Sequence, residues 1–304
     1  MRGVAAALFA FLIAMDLTKT FLKAKRPCAE GFRWFIRHHQ DGGNYQEILD
    51  AFVSAGRVND ACWLLTQFGP TDEILVVDAI DAEAVVFAGT LQVRGNIEAD
   101  SIVRAGRSIQ AGGSIRVGSA LIAGEDIRAD GAIRSAGTLE AGGDIKAGWG
   151  VEAHARIACG GDLRAAWDLL CGERLNLDGN AFVGQDLIAE GAIACAKGLR
   201  AGGNIVGADS ICAGHGIVAG EGIRCSLHLE AGWGIKAGEA IVAEGAIRAG
   251  ESLHAQAEIR AGAGYGVFAG LNVQVEAWET SARVCASARP EGLMSGCWAG
   301  ASLE

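Results

Sequence analysis

Five cations recur at multiples of eighteen residues: Arg128, Lys146, Arg164, Arg200 and Lys236. The same register holds Gln92, Gln110, Phe182, Val218 and His254, and no carboxylate. On one face of a repeating fold these positions would form a ladder of positive charge. Such a ladder could meet a polyanion, an acidic partner or a lipid surface. Asp126, Asp144 and Asp162 lie just ahead of three of the cations and offer the plainer reading, charge balance. Trp149 and Trp167 are also eighteen residues apart. That spacing predicts an aromatic corner stacked on adjacent coils, with a partner hot spot as the alternative.

The remaining candidates for chemistry do not converge. His154, His215, His228 and His254 fall within the same stretch, and scattered surface histidine is their simplest reading. His38 and His39 lie near Asp41, but adjacent residues on a helix point apart, which argues against a metal pair. Gly262-Ala-Gly-Tyr-Gly266 lacks the Lys and the following helix of a phosphate loop. No catalytic, cofactor-binding or metal-binding set is therefore expected, and no cofactor.

The fold that would align these columns is written in the stretch from Val85 to about Val273. Anchors spaced six residues apart run from Val85 to Leu271, and of these 32 only Ala181 and Tyr265 are not Val, Leu or Ile. Two residues after each anchor stands a small or apolar residue, 19 times Ala, and the next position is Gly in 16 hexads. Residues i and i+2 of a strand face the same side. Each hexad thus reads as a short strand with one bulky and one small residue inward, followed by a Gly-rich corner. A helix is excluded, because a period of six drifts around a 3.6-residue turn and Gly costs about 1 kcal/mol at each helical position. Short strands with fixed corners predict a mainly β chain, a triangular parallel β-helix with three hexads per coil. That gives ten to eleven coils and a rod about 50 Å long. Ala181 is too small for its slot, and Leu177 and Val183 are expected to supply the missing volume.

The run Leu139-Glu-Ala-Gly-Gly-Asp-Ile145 resembles the right-handed triangular β-helices of bactofilins and of FapA-like flagellar-assembly proteins. The likeness covers residues 85–273 and is one of repeat. It implies a bacterial, cytosolic protein of cytoskeletal type, able to polymerise end to end at a membrane. The helical segment at the front of this chain departs from that pattern. Left-handed hexapeptide acyltransferases are the rival. Their hexad puts the small residue before the bulky one, whereas here Ile145 precedes Ala147, and no loop interrupts the hexads to carry a catalytic His.

Ahead of the repeat, residues 27–70 read as a helical hairpin that caps the solenoid. Phe32, Phe35 and Ile36 form one apolar stripe; Ile48, Leu49, Phe52 and Val53 form another. Gly56 ends the second helix, Asn59 or Asp60 can cap the next, and Gly69-Pro70 stops it. Tyr45–Leu65, with Leu49, Ala55-Gly56-Arg57 and Ala61, resembles one pentatricopeptide- or tetratricopeptide-type hairpin. A single copy cannot be a nucleotide-reading array, since such arrays need about three repeats. It could dock another protein. Residues 1–26 are apolar, then basic. The apolar run is short of the roughly 20 residues that span a bilayer. It reads as upstream sequence before a start at Met15, as a packed helix, as a membrane-surface anchor or as a signal peptide. Residues 71–84 read as leading strands; Val273, Val275 and Val284 suggest closing strands within a tail, 274–304.

The net charge of −10 argues against a general nucleic-acid binder. The nine cysteines show no C-x-x-C spacing, and Cys159, Cys171, Cys195 and Cys225 take the small inward slot. Cys159 and Cys195 would lie two coils apart, about 10 Å, too far for a disulfide. A reducing, cytoplasmic compartment fits, and the anchor reading of residues 1–26, one of the alternatives above, would add membrane association. The functional expectation is a non-enzymatic structural scaffold capable of self-association. A protein-binding adaptor recruiting its partner through residues 27–70 is the alternative, and an acyltransferase stands further off.

Overall fold

A computed structural model describes residues 16–39 and 42–301. The apolar run 3–15, with the readings attached to it, and Asp41 lie outside the described residues. The chain divides into two compact units, one ending at Gly69 and the other beginning at Pro70.

The first unit is helical: α1 (Lys19–Ala24), α2 (Ala29–His38), α3 (Tyr45–Ser54) and α4 (Val58–Phe68). Asn44 starts α3, its side-chain oxygen accepting from the N–H groups of Gln46 and Glu47 at 2.9 and 3.2 Å. Gly56 follows α3 at φ 69°, the left-handed conformation that turns the chain toward α4. Helix α4 begins earlier than expected, directly after Arg57. Asn59 and Asp60 therefore lie within its first turn and do not cap it. Asp60 instead takes the Arg57 guanidinium at 2.6 Å. Asp16–Leu17 pairs antiparallel with Gly43–Asn44. Leu17 and Leu22, from the segment expected as a separate apolar and basic terminus, are buried alongside Phe35, Ile48, Leu49, Phe52, Leu64 and Leu65.

The second unit is a parallel β-solenoid with three sheets of 13, 11 and 12 strands. The first face runs from Ile74–Val77 to Cys297–Gly300, the second from Ile80–Ala82 to Ile259–Arg260, the third from Val85–Phe87 to Leu293–Ser295. In Leu139–Ala141, Ile145–Ala147 and Val151–Ala153, one strand from each face, the outer two residues are buried and the central one is not. Residues pair with those eighteen positions further on, as Ile127 with Ile145 and Ile145 with Leu163. Anchor thus stacks on anchor, and Ala on Ala.

This regular stack ends at both extremities by changing the length of a turn. Leu75 pairs with Leu91 and Ile80 with Ile97, intervals of sixteen and seventeen residues. At the far end Ile247 pairs with Val267, twenty residues on, and Leu253 with Val284, thirty-one on. Two anchors expected from the repeat are therefore not anchors: Tyr265 and Leu271 are 51% and 52% exposed. Extra residues after Ile259 shift the chain out of phase, so Val267 fills the next inward slot. Val275 is not in a closing strand either; it opens a short 3-10 helix and is exposed. Val284 does lie in one. These irregular strands continue the stack at both ends, which is why the first face has 13 strands where the hexads alone predict ten to eleven coils.

Ala181 is fully buried between Leu163 and Leu199 in its own sheet, and Leu177 and Val183 belong to the same core cluster. Leu187 is also fully buried and has an ordinary slot. Leu187→Ala should cost about 2–5 kcal/mol through lost transfer energy and the cavity left behind. Ala147→Leu or Ala237→Leu should cost about 1–3 kcal/mol through overpacking. Chemical denaturation of each variant measures these values, and a Leu187→Ala chain as stable as the parent would contradict the inward assignment.

Candidate functional site

The first face carries the expected cation ladder. Arg128, Lys146, Arg164, Phe182, Arg200, Val218, Lys236 and His254 are successive register neighbours on its outer side. The corner residues before these strands treat the cations unequally. Asp126 holds Arg128 at 2.8 Å and Asp162 holds Arg164 at 3.1 Å. The Arg164 guanidinium also lies 5.0 Å from the centre of the Phe182 ring. Lys146, Arg200 and Lys236 form no ion pair among the described residues. Charge balance thus accounts for Arg128 and Arg164 and leaves Lys146, Arg200 and Lys236 without a paired carboxylate among the described residues.

The same aspartates have a second task. A solenoid corner leaves backbone N–H groups needing acceptors. Asp126 accepts from the Asp144 N–H at 2.8 Å, Asp144 from Asp162 at 2.8 Å, Asp162 from Asn180 at 2.9 Å, and Asn180 from Gly198 at 3.2 Å. The Asn180 N–H, helped by the Asn180 and Arg164 side chains, outweighs partial burial and holds the Asp162 carboxyl below the usual carboxylate range. Asp168, Asp186 and Asn204 form a parallel ladder at another corner. His228 performs this role at the third corner: its Nδ1 accepts from the Ala246 N–H at 3.0 Å. His254 faces outward on the first face. Burial, then Arg283 and Lys236, pushes its pKa down and favours the neutral ring.

Trp149 and Trp167 do occupy one corner on adjacent turns, with the Trp167 N–H 3.4 Å from the Trp149 carbonyl oxygen. Their rings are not stacked among the described contacts, contrary to expectation. The side chains are 63% and 56% exposed. A corner side chain projects into solvent, so backbone neighbours stack only if their rotamers match. His215 and Trp233 do meet that condition, with ring centres 4.2 Å apart and planes 8° from parallel. They are also eighteen residues apart, so the signal was present in the sequence. Trp149 and Trp167 border the first face on its side toward the second; His215 and Trp233 border it on its side toward the third.

The cysteines are all free thiols. Cys159 and Cys195 lie on the third face with Leu177 in register between them. Burial pushes Cys159 and Cys225 up to about 11, against weaker opposing hydrogen bonds, and raises Cys171 and Cys195 in the same direction. No group of three or more His, Cys, Asp or Glu side chains converges as metal ligands among the described residues. In the helical unit, Leu22, Pro27, Cys28, Gly31, Phe52, Asp60, Trp63 and Leu64 surround a largely apolar cavity of about 150 Å³. Sequence periodicity did not indicate this cavity, because its walls come from four separate segments.

Replacing Asp144 by Ala should cost about 1 kcal/mol by leaving the Asp162 N–H without its acceptor. Asp144→Asn should cost less, as Asn180 already does this work two coils higher in the same column. The buried thiols give a pH signature. Their folded pKa is raised, so their contribution is complete below the unfolded thiol range and is lost as pH rises from about 9 toward about 11. Changing Cys159, Cys171, Cys195 and Cys225 together to Ala, the usual resident of that slot, should flatten the alkaline decline of stability. Denaturant titrations at a series of pH values read both effects.

Residues 15–68 match the family described as the YdhT N-terminal domain. The helical-hairpin likeness at Tyr45–Leu65 falls inside that match. No curated protein and no solved structure matches the chain. No helix among the described residues is long and apolar enough to cross a membrane.

Proposed function

We propose that the chain is a non-enzymatic scaffold: a β-solenoid that holds flat faces in fixed register and can add a further copy at its strand edges. The observation that carries this reading is the filled interior. Anchors and small residues from Phe87 to Ala286 belong to one continuous buried cluster, which leaves the outer faces as the working surface. Strand edges support the self-association part. Ile74–Val77 is terminal in its sheet, with Ile74, Leu75 and Val76 exposed, and Cys297–Gly300 is terminal at the other end. Open apolar edges of this kind pair with other chains unless covered. The likeness to bactofilin-type repeats points the same way.

An adaptor is the second reading, favoured by the cavity between Leu22 and Trp63. Its volume is near that of an apolar cavity able to hold one benzene-sized group, so it suits a single bulky side chain of a partner.

Sedimentation and electron microscopy of the full chain across a concentration series test the scaffold reading. Assemblies growing with concentration, and lost on Val76→Lys at the edge, are expected. Monomers at every concentration would refute self-association. For the adaptor, Trp63→Ala should weaken partner capture by the full chain, and equal capture by both forms would count against the cavity.

A further inference from the structure

Two arginines stand one above the other on the second face, away from the cation ladder. Arg116 and Arg134 are direct register neighbours, with Glu98 on one side of the pair and Glu152 on the other. Like charges opposed on adjacent strands are destabilising unless something compensates them. Arg134 has a partner: its Nε is 3.4 Å from Glu152, which also contacts His154 Nε2 at 3.2 Å. Arg116 has no ion pair and no side-chain hydrogen bond among the described residues, although Glu98 is its neighbour.

Beside the pair, the corner is cut away. Asp100, Gly118, Ala136 and His154 succeed one another at eighteen-residue intervals, and the middle two have no side chain beyond Cβ. A Cβ added at Gly118 would lie 2.0 Å from the Asp100 carbonyl oxygen, so the floor cannot be filled there without moving backbone. The outcome is an open cavity of about 330 Å³ lined by Arg116, Arg134, Glu152, His154 and Asp100 over that floor.

We propose that this notch binds the phosphoryl group of a small phosphomonoester, gripped by Arg116 and Arg134. Planar guanidinium groups match the oxygens of a phosphoryl group through paired N–H donors, and a dianion would relieve the opposed charges. Glu152 is occupied by Arg134 and His154 and competes little. Asp100 on the opposite rim disfavours further negative charge, which selects a monoester over a polyphosphate.

The test is a titration of the ¹⁵N-labelled full chain with inorganic phosphate at ionic strength matched by sodium chloride, following the arginine Nε–H signals. Saturable shifts are expected at Arg116 and Arg134. Arg116→Gln should weaken them about tenfold, the worth of a charged hydrogen bond. Ala136→Phe should do the same by filling the notch, a substitution on an exposed corner whose next neighbour is already His154. Arg200→Gln on the other face should leave them unchanged. Phosphate should bind more tightly than acetate, and pyrophosphate no more tightly than phosphate. Shifts that do not saturate, or that survive both Arg116→Gln and Ala136→Phe, overturn the site. Acetate binding as tightly as phosphate overturns the phosphoryl assignment, and a marked gain with pyrophosphate overturns the choice of a monoester.

Discussion

Through the regular part of the solenoid, each inward side chain rests on its counterpart eighteen residues away. Ile127, Ile145 and Leu163 form one such column, and Ala129, Ala147 and Ala165 the column beside it. Large packs beside small along each strand and like upon like between strands, so a constant cross-section is filled turn after turn. The strand period of two makes this register unforgiving: a slip of one residue would turn Ile145 outward and Lys146 inward. The outer columns exist because the inner ones hold. Arg128, Lys146 and Arg164 line up on the first face because Ile127, Ile145 and Leu163 line up beneath it.

The corners impose a second requirement, that backbone N–H groups find acceptors where the chain bends. Asp, Asn, Ser and His meet it at different positions, as at Asp144, Asn180, Ser114 and His228. This requirement shapes the electrostatics of the first face. Where the acceptor is Asp, its second oxygen is free to hold an arginine, as at Arg128 and Arg164. Above Asn180 the column becomes Gly198, Gly216 and Gly234, and Arg200 and Lys236 rise beside it without an ion-pair partner among the described residues. A hydrogen-bonding need of the backbone thus supplies counter-charges beside Arg128 and Arg164 and none beside Arg200 and Lys236.

Much of this was legible in the chain. A period of six with paired inward residues admits one economical fold, because short strands and Gly-rich corners are local features that recur without insertion or deletion from Val85 to Ile259. The columns of Arg128 and Trp149 follow from simple counting. Gly56 after Ser54, and Gly69-Pro70 after Phe68, likewise show helix ends in local chemistry.

Other features depend on distances that no periodicity encodes. Tyr265 and Leu271 kept the count of six, yet the chain had already left its phase, since a closing turn is governed by what packs above Ile247 and Leu253. Trp149 and Trp167 share a column without stacking, whereas His215 and Trp233 stack, because rotamers at a corner answer to their surroundings in space. Asp126 and Asp162 reach their arginines while Lys146 stands unpaired beside Asp144, a difference of side-chain reach and geometry. The sequence alone determined the repeat, because burial alternates with the residue number. Which charges are free, which rings touch and where the notch at Gly118 opens were decided by the tertiary structure, because they depend on side chains from turns that only the closed coil brings together.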